Sequence, residues 1–381
     1  MTDPVDEPGT PTGWWNAVLH PTRRGWMLII SGGTTLVLLA IAFWLPVPFV
    51  KLSPGPTFNV IGQDDGEDVI RITGTETFPV SGSLDMTTVY ERGGPRGGLT
   101  FVEAIASWLD PADAVVPREL LFPDDITGEE VRTRQALLFD TSESNAVAAA
   151  MRYLDRPVTT QIVASAVYED TPADGVLLPK DEIISIDGVE VTQADQVVEA
   201  VRGNPVGTTF EIVVRRDGVE VDGVMTDDVE QTVTLTSQPN PDDPDVPYIG
   251  IGVSEFYSAG FPIEFTLEGV GGPSAGLLFA TGIVDKLSSE DLVAGEHVAG
   301  TGTIEPDGTV GPIGGIRQKL AGARDAGATL FLMPADHCAE SAGHVPDGLT
   351  VAPVSTLAEA VEAIRTYTSG GAVPSCPVDA A

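Results

Sequence analysis

From residue 26 to residue 45 the chain runs twenty positions without a charge. A helix of that length rises about 30 Å, the thickness of a bilayer's hydrocarbon core. Trp26 and Trp44 stand near its two ends, where amphipathic indole rings favour the membrane–water boundary. Arg23 and Arg24 precede the run and only Lys51 follows closely. That asymmetry predicts a cytoplasmic tail over 1–25, a transmembrane helix over 26–45 and a chain that is extracytoplasmic beyond Pro46, hence a single-pass protein of the cell membrane. A secretory signal has a shorter apolar core and a small-residue cleavage site, and Leu45-Pro46-Val47-Pro48 is a poor one. A buried core helix is the other alternative, although such a helix seldom lacks a polar face. The tail before the run is polar, with Asp3, Asp6 and Glu7, and reads as disordered.

A second constraint is Gly271-Gly272-Pro273-Ser274-Ala275-Gly276, which opens the apolar run Leu277-Leu278-Phe279-Ala280. Pro273 suits the first turn of a helix, because its φ is already helical and its missing N–H is not needed there. Nothing bulky shields the Ser274 hydroxyl, and backbone N–H groups at a helix start can hold a developing oxyanion. The same residues also suit a glycine-rich helix start with a capping serine.

Farther on, Thr301-Gly302-Thr303-Ile304 leads through Asp307-Gly308 to Val310-Gly311-Pro312-Ile313-Gly314-Gly315-Ile316-Arg317-Gln318-Lys319. On a helix beginning near Gly315, Ile316, Leu320 and Ala323 share one face with Lys319 at its edge. Arg317, Gln318, Arg324 and Asp325 are expected to project elsewhere. Desolvation beside an apolar stripe disfavours an ammonium and pulls its pKa from about 10.4 toward the range of a general base. Alternatively, the lysine stem covers the stripe while its head reaches water.

Together these blocks, in this spacing, resemble the proteolytic domain of the Lon family of serine peptidases. The matching pieces are Gly272-Pro273-Ser274-Ala275-Gly276, Thr301-Gly302 with Ile304, and Pro312-Ile313-Gly314-Gly315 with Lys319. The resemblance implies Ser274 as nucleophile, Lys319 as its base, Thr301 hydrogen-bonded near the lysine, and Gly272 and Pro273 supporting the turn. Many Lon domains carry an acidic residue three before the serine; here Gly271 stands there, which leaves open what restrains Lys319.

An α+β chain is expected. Residues 46–156 alternate short β-rich runs, such as Val69-Ile70-Arg71-Ile72 and Leu84-Asp85-Met86-Thr87-Thr88-Val89, with turns and then a helix over 129–154. Ser142 or Ser144 reads as a cap before the alanine run. This region can complete the protease fold, with the next domain inserted between its parts. Residues 157–236 resemble a PDZ domain of the bacterial type. They carry Thr171-Pro172-Ala173-Asp174-Gly175, then Leu178 to Val189, a helix over 193–202 and a strand over 209–216. PDZ domains add a peptide as a strand between a sheet edge and a helix. Their carboxylate loop usually precedes the first strand, whereas the nearest similar string here, Tyr248-Ile249-Gly250-Ile251, follows the domain. A mere spacer is the alternative. An acidic, proline-rich linker covers 237–247, the Lon-type domain 248–368 with a last helix over 357–367, and a tail 369–381.

The net charge of −36 over 381 residues argues against nucleic acid as a partner, since phosphate binding needs Lys and Arg and no basic stripe occurs. Loop 93–98 lacks the Gly-Lys-Ser/Thr ending of a phosphate loop, as does the rest of the sequence. ATP independence is therefore expected, with no cofactor. Cys338 and Cys376, near His337 and His344, match no standard zinc spacing. A disulfide stapling the tail is expected in an oxidising compartment. Gly272-Pro273-Ser274-Ala275-Gly276 also fits the G-x-S-x-G elbow of α/β-hydrolases, with His297, His337 and His344 available. That reading leaves the block 312–319 unexplained. A non-catalytic PDZ adaptor on a degenerate protease fold would not require Ser274, Thr301 and Lys319 together. The favoured reading is a membrane-anchored serine endopeptidase acting on proteins or peptides. Lon domains often form rings, which leaves room for a homo-oligomer.

Overall fold

The structure, a computed structural model, describes residues 23–94, 97–122, 128–216, 220–221, 224–225, 229–267 and 269–377. The polar segment ending at Pro21, Pro95 and Arg96 of loop 93–98, and residues 378–381 of the tail lie outside the described residues. The chain forms two compact units, Met1–Lys51 with Glu91–Asp124 and Leu52–Tyr90 with Asp125–Ala381.

In the first unit, α1 covers Arg23–Trp44 and buries none of its 22 residues. By length and composition it is able to cross a membrane. Pro46 and Pro48 end it, because a residue before proline is pushed toward extended backbone. Pro46–Val47 then pairs antiparallel with Leu99–Thr100. Helix α2, Phe101–Leu109, starts on a capping box. The Glu103 N–H donates to Thr100 Oγ1 at 3.3 Å, and the Glu103 carboxylate accepts the Thr100 N–H at 2.9 Å. The Thr100 N–H and, after it, the Thr100 hydroxyl, which donates to the same carboxylate at 2.9 Å, hold the Glu103 carboxyl below its ordinary pKa.

In the second unit the elements run in order. They are β1 (Phe49–Asn59), β2 (Ile70–Ile72), β3 (Ser83–Arg92), α3 (Gly128–Tyr153), β4 (Thr159–Val167), β5 (Glu182–Ile186) and α4 (Ala194–Arg202). Next come β6 (Thr209–Arg216), β7 (Val229–Thr236), β8 (Ile251–Ser258), β9 (Ile263–Phe265) and α5 (Gly276–Leu287). The chain closes with β10 (His297–Gly300), β11 (Thr303–Ile304), β12 (Val310–Gly311), α6 (Ile316–Asp325), β13 (Leu330–Pro334), β14 (Thr350–Val354) and α7 (Leu357–Thr368).

One sheet has the order β14-β13-β10-β3-β1. Strands β3, β10, β13 and β14 run parallel. β1 and β3 precede the inserted domain and β10, β13 and β14 follow it, so the two parts of the chain share one sheet. Helix α5 buries every residue from Gly276 to Asp285, as a helix apolar nearly all round must. Phe279 meets Phe139 of α3 edge-on at 5.6 Å between ring centroids. Helix α7 buries Leu357, Ala360, Val361 and Ile364 against the same core.

The inserted domain is an antiparallel sheet of order β7-β6-β5-β4-β8, with Val197 and Val201 of α4 in its core. Three details differ from the sequence expectation. β8 falls within 248–368 but pairs with β4 along its whole length, Ile251 opposite Val167 through Ser258 opposite Thr159. Ile249, Ile251 and Val253 join the inserted domain's core, and that burial sets the boundary. The stretch read as a linker holds an antiparallel pairing, Gln238–Pro239 with Pro247–Tyr248. Ser142 and Ser144 cap nothing, since α3 continues through both. Their hydroxyls serve the neighbouring chain: Ser144 Oγ accepts the Tyr257 N–H of β8 at 2.7 Å. Lys180 pairs with Asp140 of α3 at 3.2 Å.

The Sγ atoms of Cys338 and Cys376 are 2.04 Å apart, which ties the tail to the single turn Cys338–Ser341. Asp285 is buried at the end of α5. Its Oδ1 accepts the Leu292 N–H at 2.8 Å, and its Oδ2 has no hydrogen-bond partner among the described residues. Burial, partly opposed by the Leu292 bond, raises its pKa to about 6. A carboxyl whose folded pKa is raised stabilises the fold below its unfolded pKa, and that stability is lost as pH rises through the folded value. Asp285→Asn keeps the acceptor and removes the charge. Thermal melts across pH 4 to 8 should show the wild type losing stability toward neutrality and the variant losing less. Equal slopes for both would contradict this account.

Candidate active site

Ser274 sits in a 3-10 turn, Pro273–Ala275, and α5 begins only at Gly276. The expected helical first turn is thus tighter than an α-helix. Gly272 enters it at φ 87°, a region that strains any side chain. The turn is gripped from the segment after β10. The Gly302 N–H donates to Ser274 O at 2.9 Å, Thr301 Oγ1 donates to the same oxygen at 3.1 Å, and the Leu277 N–H donates back to Gly302 O at 3.1 Å. Thr301 is fully buried, and its own N–H is fixed on Leu332 O of β13.

Lys319 reaches the same point from α6. Gly315, at φ 72°, turns the chain into that helix, and Ile316, Leu320 and Ala323 anchor it in an apolar cluster. Lys319 Nζ lies 2.7 Å from Ser274 Oγ and 2.9 Å from Thr301 Oγ1. Only 3% of the lysine is exposed, and burial lowers its pKa to about 7. Its head does not reach water. Gln318, expected to project away, is buried too, at 3% exposure, because α6 is covered on more than one face. Two of the three candidate histidines are engaged elsewhere. His297 Nε2 bonds Asp85 Oδ2 at 2.9 Å, while His337 accepts the Ile313 N–H at 2.9 Å and faces Glu340 at 3.1 Å.

Helix α3 forms a part of the site that the sequence reading missed. Gln135 O accepts the Gly272 N–H at 3.0 Å, and Ser142 Oγ donates to Pro273 O at 3.0 Å. Asn145 Nδ2 donates to Ile304 O at 3.0 Å. Ser142 and Asn145 stand three positions apart, a spacing that puts both on one helix face, whereas Gln135 contributes only its backbone carbonyl. That spacing was the available signal. Gly276 allows the approach, since a Cβ there would meet Ser142 Oγ and Ile304 Cγ2, each at 2.7 Å.

A groove in the inserted domain lies between α4, through Val197, Val198 and Val201, and the chain entering β8, through Ile249, Ile251 and Val253. The string 248–251 therefore lines the groove although it follows the domain in sequence. Gly250, at φ 86°, is packed so closely on Thr171 that a Cβ would stand 2.0 Å from its hydroxyl. Its carbonyl accepts the Tyr168 N–H at 3.0 Å. β8 is the outer strand of the sheet.

Comparison with known proteins finds two domains. Residues 269–366 match the Lon protease (S16) C-terminal proteolytic domain, and residues 163–216 match the PDZ domain. Both domains are present in this chain. Lon protease 1 of Sorangium cellulosum is 41% identical over 93 residues, which are 24% of this chain and 11% of that protein. The archaeal Lon protease of Archaeoglobus fulgidus is 34% identical over 103 residues, 26% of this chain and 16% of that protein. Lon protease 1 of Bacillus subtilis is 37% identical over 94 residues, 24% and 12% respectively. The chain thus spans only a small part of the length of these relatives. Among solved structures, the PDZ domain of an SdrC-like protein from Listeria monocytogenes covers 24% of this chain and 86% of that one, at 21% identity and a TM-score of 0.20.

Ser142 holds the backbone of the serine turn from outside it. Ser142→Ala should lower stability by about 1 kcal/mol, the worth of one buried hydrogen bond. It should also reduce turnover of a peptide substrate severalfold, with KM and the pH profile unchanged. A shifted pH profile would mean that Ser142 acts on Lys319 and not on the position of the turn.

Proposed function

We propose that this chain is a membrane-anchored, ATP-independent serine endopeptidase of Lon type that works through Ser274 and Lys319. The observation carrying this is the buried amine 2.7 Å from the serine oxygen. Neutral Lys319 takes the Ser274 proton as Oγ attacks the scissile carbonyl, and a tetrahedral oxyanion forms beside the backbone N–H groups of the serine turn, since those that open α5 are bonded to Pro273 O and Gly302 O. Collapse expels the amine half of the substrate, which takes the proton from Lys319. Water then enters, gives a proton to Lys319 and attacks the ester carbonyl; collapse expels Ser274 Oγ, which takes that proton back as the acyl half leaves as a carboxylic acid. Thr301 orients the lysine.

ATP independence rests on a sequence that holds no Gly-Lys-Ser/Thr phosphate loop. Anchoring rests on α1, and its orientation on Arg23 and Arg24 at the start of that helix. With the N-terminus inside, the catalytic domain is extracytoplasmic, and the juxtaposed Cys338 and Cys376 suit an oxidising compartment. The PDZ groove recruits protein or peptide substrates, or regulates their cleavage, by adding an extended segment to the β8 edge beside α4.

The chemistry is tested by Ser274→Ala, Lys319→Ala and Lys319→Arg. Each should cut peptide hydrolysis by roughly ten-thousandfold while the fold persists. The arginine fails because it cannot give up its proton. Thr301→Ala should cost roughly tenfold. Wild-type activity should climb with pH through about 7, where Lys319 loses its proton, and level off above it. Full hydrolysis by Lys319→Ala would remove the base from this mechanism.

The compartment is tested by alkylation of full-length protein taken from its native membrane. No thiol should react until reductant is added. The bond closes a separation of 38 residues, worth about 4 kcal/mol in loop entropy, so reduction should lower the melting temperature clearly. Two reactive thiols before reduction would place the domain in a reducing compartment.

A further inference from the structure

Helix α2 presents its apolar residues outward. Its one buried residue is Ser107, whereas Trp108 is 76% exposed, Leu109 70%, and Phe101 and Ile105 are exposed as well. Leu120 and Leu121, in the turn Arg118–Leu121 of the same unit, add to the uncovered apolar surface. A water-facing helix would show the opposite pattern. The one charged side chain within α2, Glu103, is turned back on Thr100 and pairs with Arg92 at 2.9 Å. Asp110 and Glu119 flank the apolar residues.

The start of α2 is fixed to the end of α1. The Phe101 N–H donates to Leu45 O at 3.2 Å, and Pro46 and Val47 pair with Thr100 and Leu99. A 22-residue helix is about 33 Å long, enough to cross the hydrocarbon core once. Its last residues, with Trp44 at 79% exposure, then stand at the headgroup boundary, where tryptophan is favoured. The first turn of α2 stands at the same boundary, within one hydrogen bond of Leu45.

From this we infer that α2, with the turn Arg118–Leu121, lies in the outer interface of the membrane that α1 crosses, its Trp108, Leu109 and Leu120 set into lipid. The partner is the bilayer surface itself, met through apolar area and not through charge, since no Lys or Arg lies within α2. This rests on the reading of α1 as a membrane span. It adds a second membrane contact on the extracytoplasmic side, made by a short amphipathic helix in the plane of the interface.

The test uses full-length protein in phosphatidylcholine vesicles. Trp108→Cys and Leu38→Cys are made separately and labelled with an environment-sensitive dye. A lipid-borne quencher is placed at either the headgroup end or the middle of the acyl chain. The position-108 label should be blue-shifted and lose most of its emission to the shallow quencher. The position-38 label, in the middle of α1, should lose its emission to the deep one. Quenching at 38 with none at 108 would overturn the interfacial helix and leave the span standing. No quenching at either position would overturn the anchor reading and this inference with it. A blue-shifted but unquenched label at 108, with cross-links between copies, would mean that a second copy of the chain covers this face, and would overturn the inference as well.

Discussion

The site depends on one amine held out of water between two hydroxyls. Lowering the Lys319 pKa from 10.5 to about 7 corresponds to a folding cost on the order of 5 kcal/mol at pH below 7. The unfolded chain keeps the proton up to its ordinary pKa. The cost is therefore greatest in acid and fades as pH climbs from about 7 toward 10.5. Such a group persists only where the surroundings fix it. Here the apolar cluster around Ile316, Leu320 and Ala323 holds α6 in place, and the segment carrying Thr301 and Gly302 is bonded to both the serine turn and β13. The proposed nucleophile and base are thus set on separate elements joined by one sheet.

Helix α3 supplies the other half of the frame and accounts for the glycine at 271. A Cβ at 271 would press on Gln135 Cβ at 3.0 Å, so α3 occupies the space a side chain there would need. In return α3 accepts the Gly272 N–H and donates to Pro273 O. The same helix accepts the Tyr257 N–H of β8 and stacks Arg152 over the Tyr257 ring at 5.4 Å. One helix therefore touches both the strand beside the groove of the inserted domain and the turn that presents Ser274.

Much of this was legible in the sequence wherever a local pattern had one physical solution. The uncharged run 26–45, the proline-led serine turn and the Gly315 start of α6 each specify their own geometry through φ, length or periodicity. The α7 face of Leu357, Ala360, Val361 and Ile364 was readable for the same reason. What was not legible depends on partners far along the chain. Ser142 and Ser144 look like caps because serine usually competes with helical backbone. Only Pro273 and Tyr257, more than a hundred positions away, show otherwise. β8 reads as the opening of the last domain by its place after a proline-rich stretch, yet its pairing with β4 assigns it to the inserted sheet. Gln318 is polar and was placed outside, although α6 is buried on that side too.

The hydrogen bonds around Thr301 also bear on the direction of the proposed proton transfer. A hydroxyl has one proton, and that of Thr301 is donated to Ser274 O. Toward Lys319, 2.9 Å away, Thr301 Oγ1 is left only as an acceptor, so an N–H of the amine points at it. Once Lys319 is neutral, that donated N–H turns the nitrogen lone pair away from Thr301, free to accept the Ser274 hydroxyl proton at 2.7 Å. A carboxylate in the same place would also accept from the amine, but its charge would favour the ammonium and raise the pKa. A neutral hydroxyl orients the base without protonating it. The glycine at 271 and the threonine at 301 are consistent with one requirement, an amine that is positioned by hydrogen bonds and kept neutral by burial.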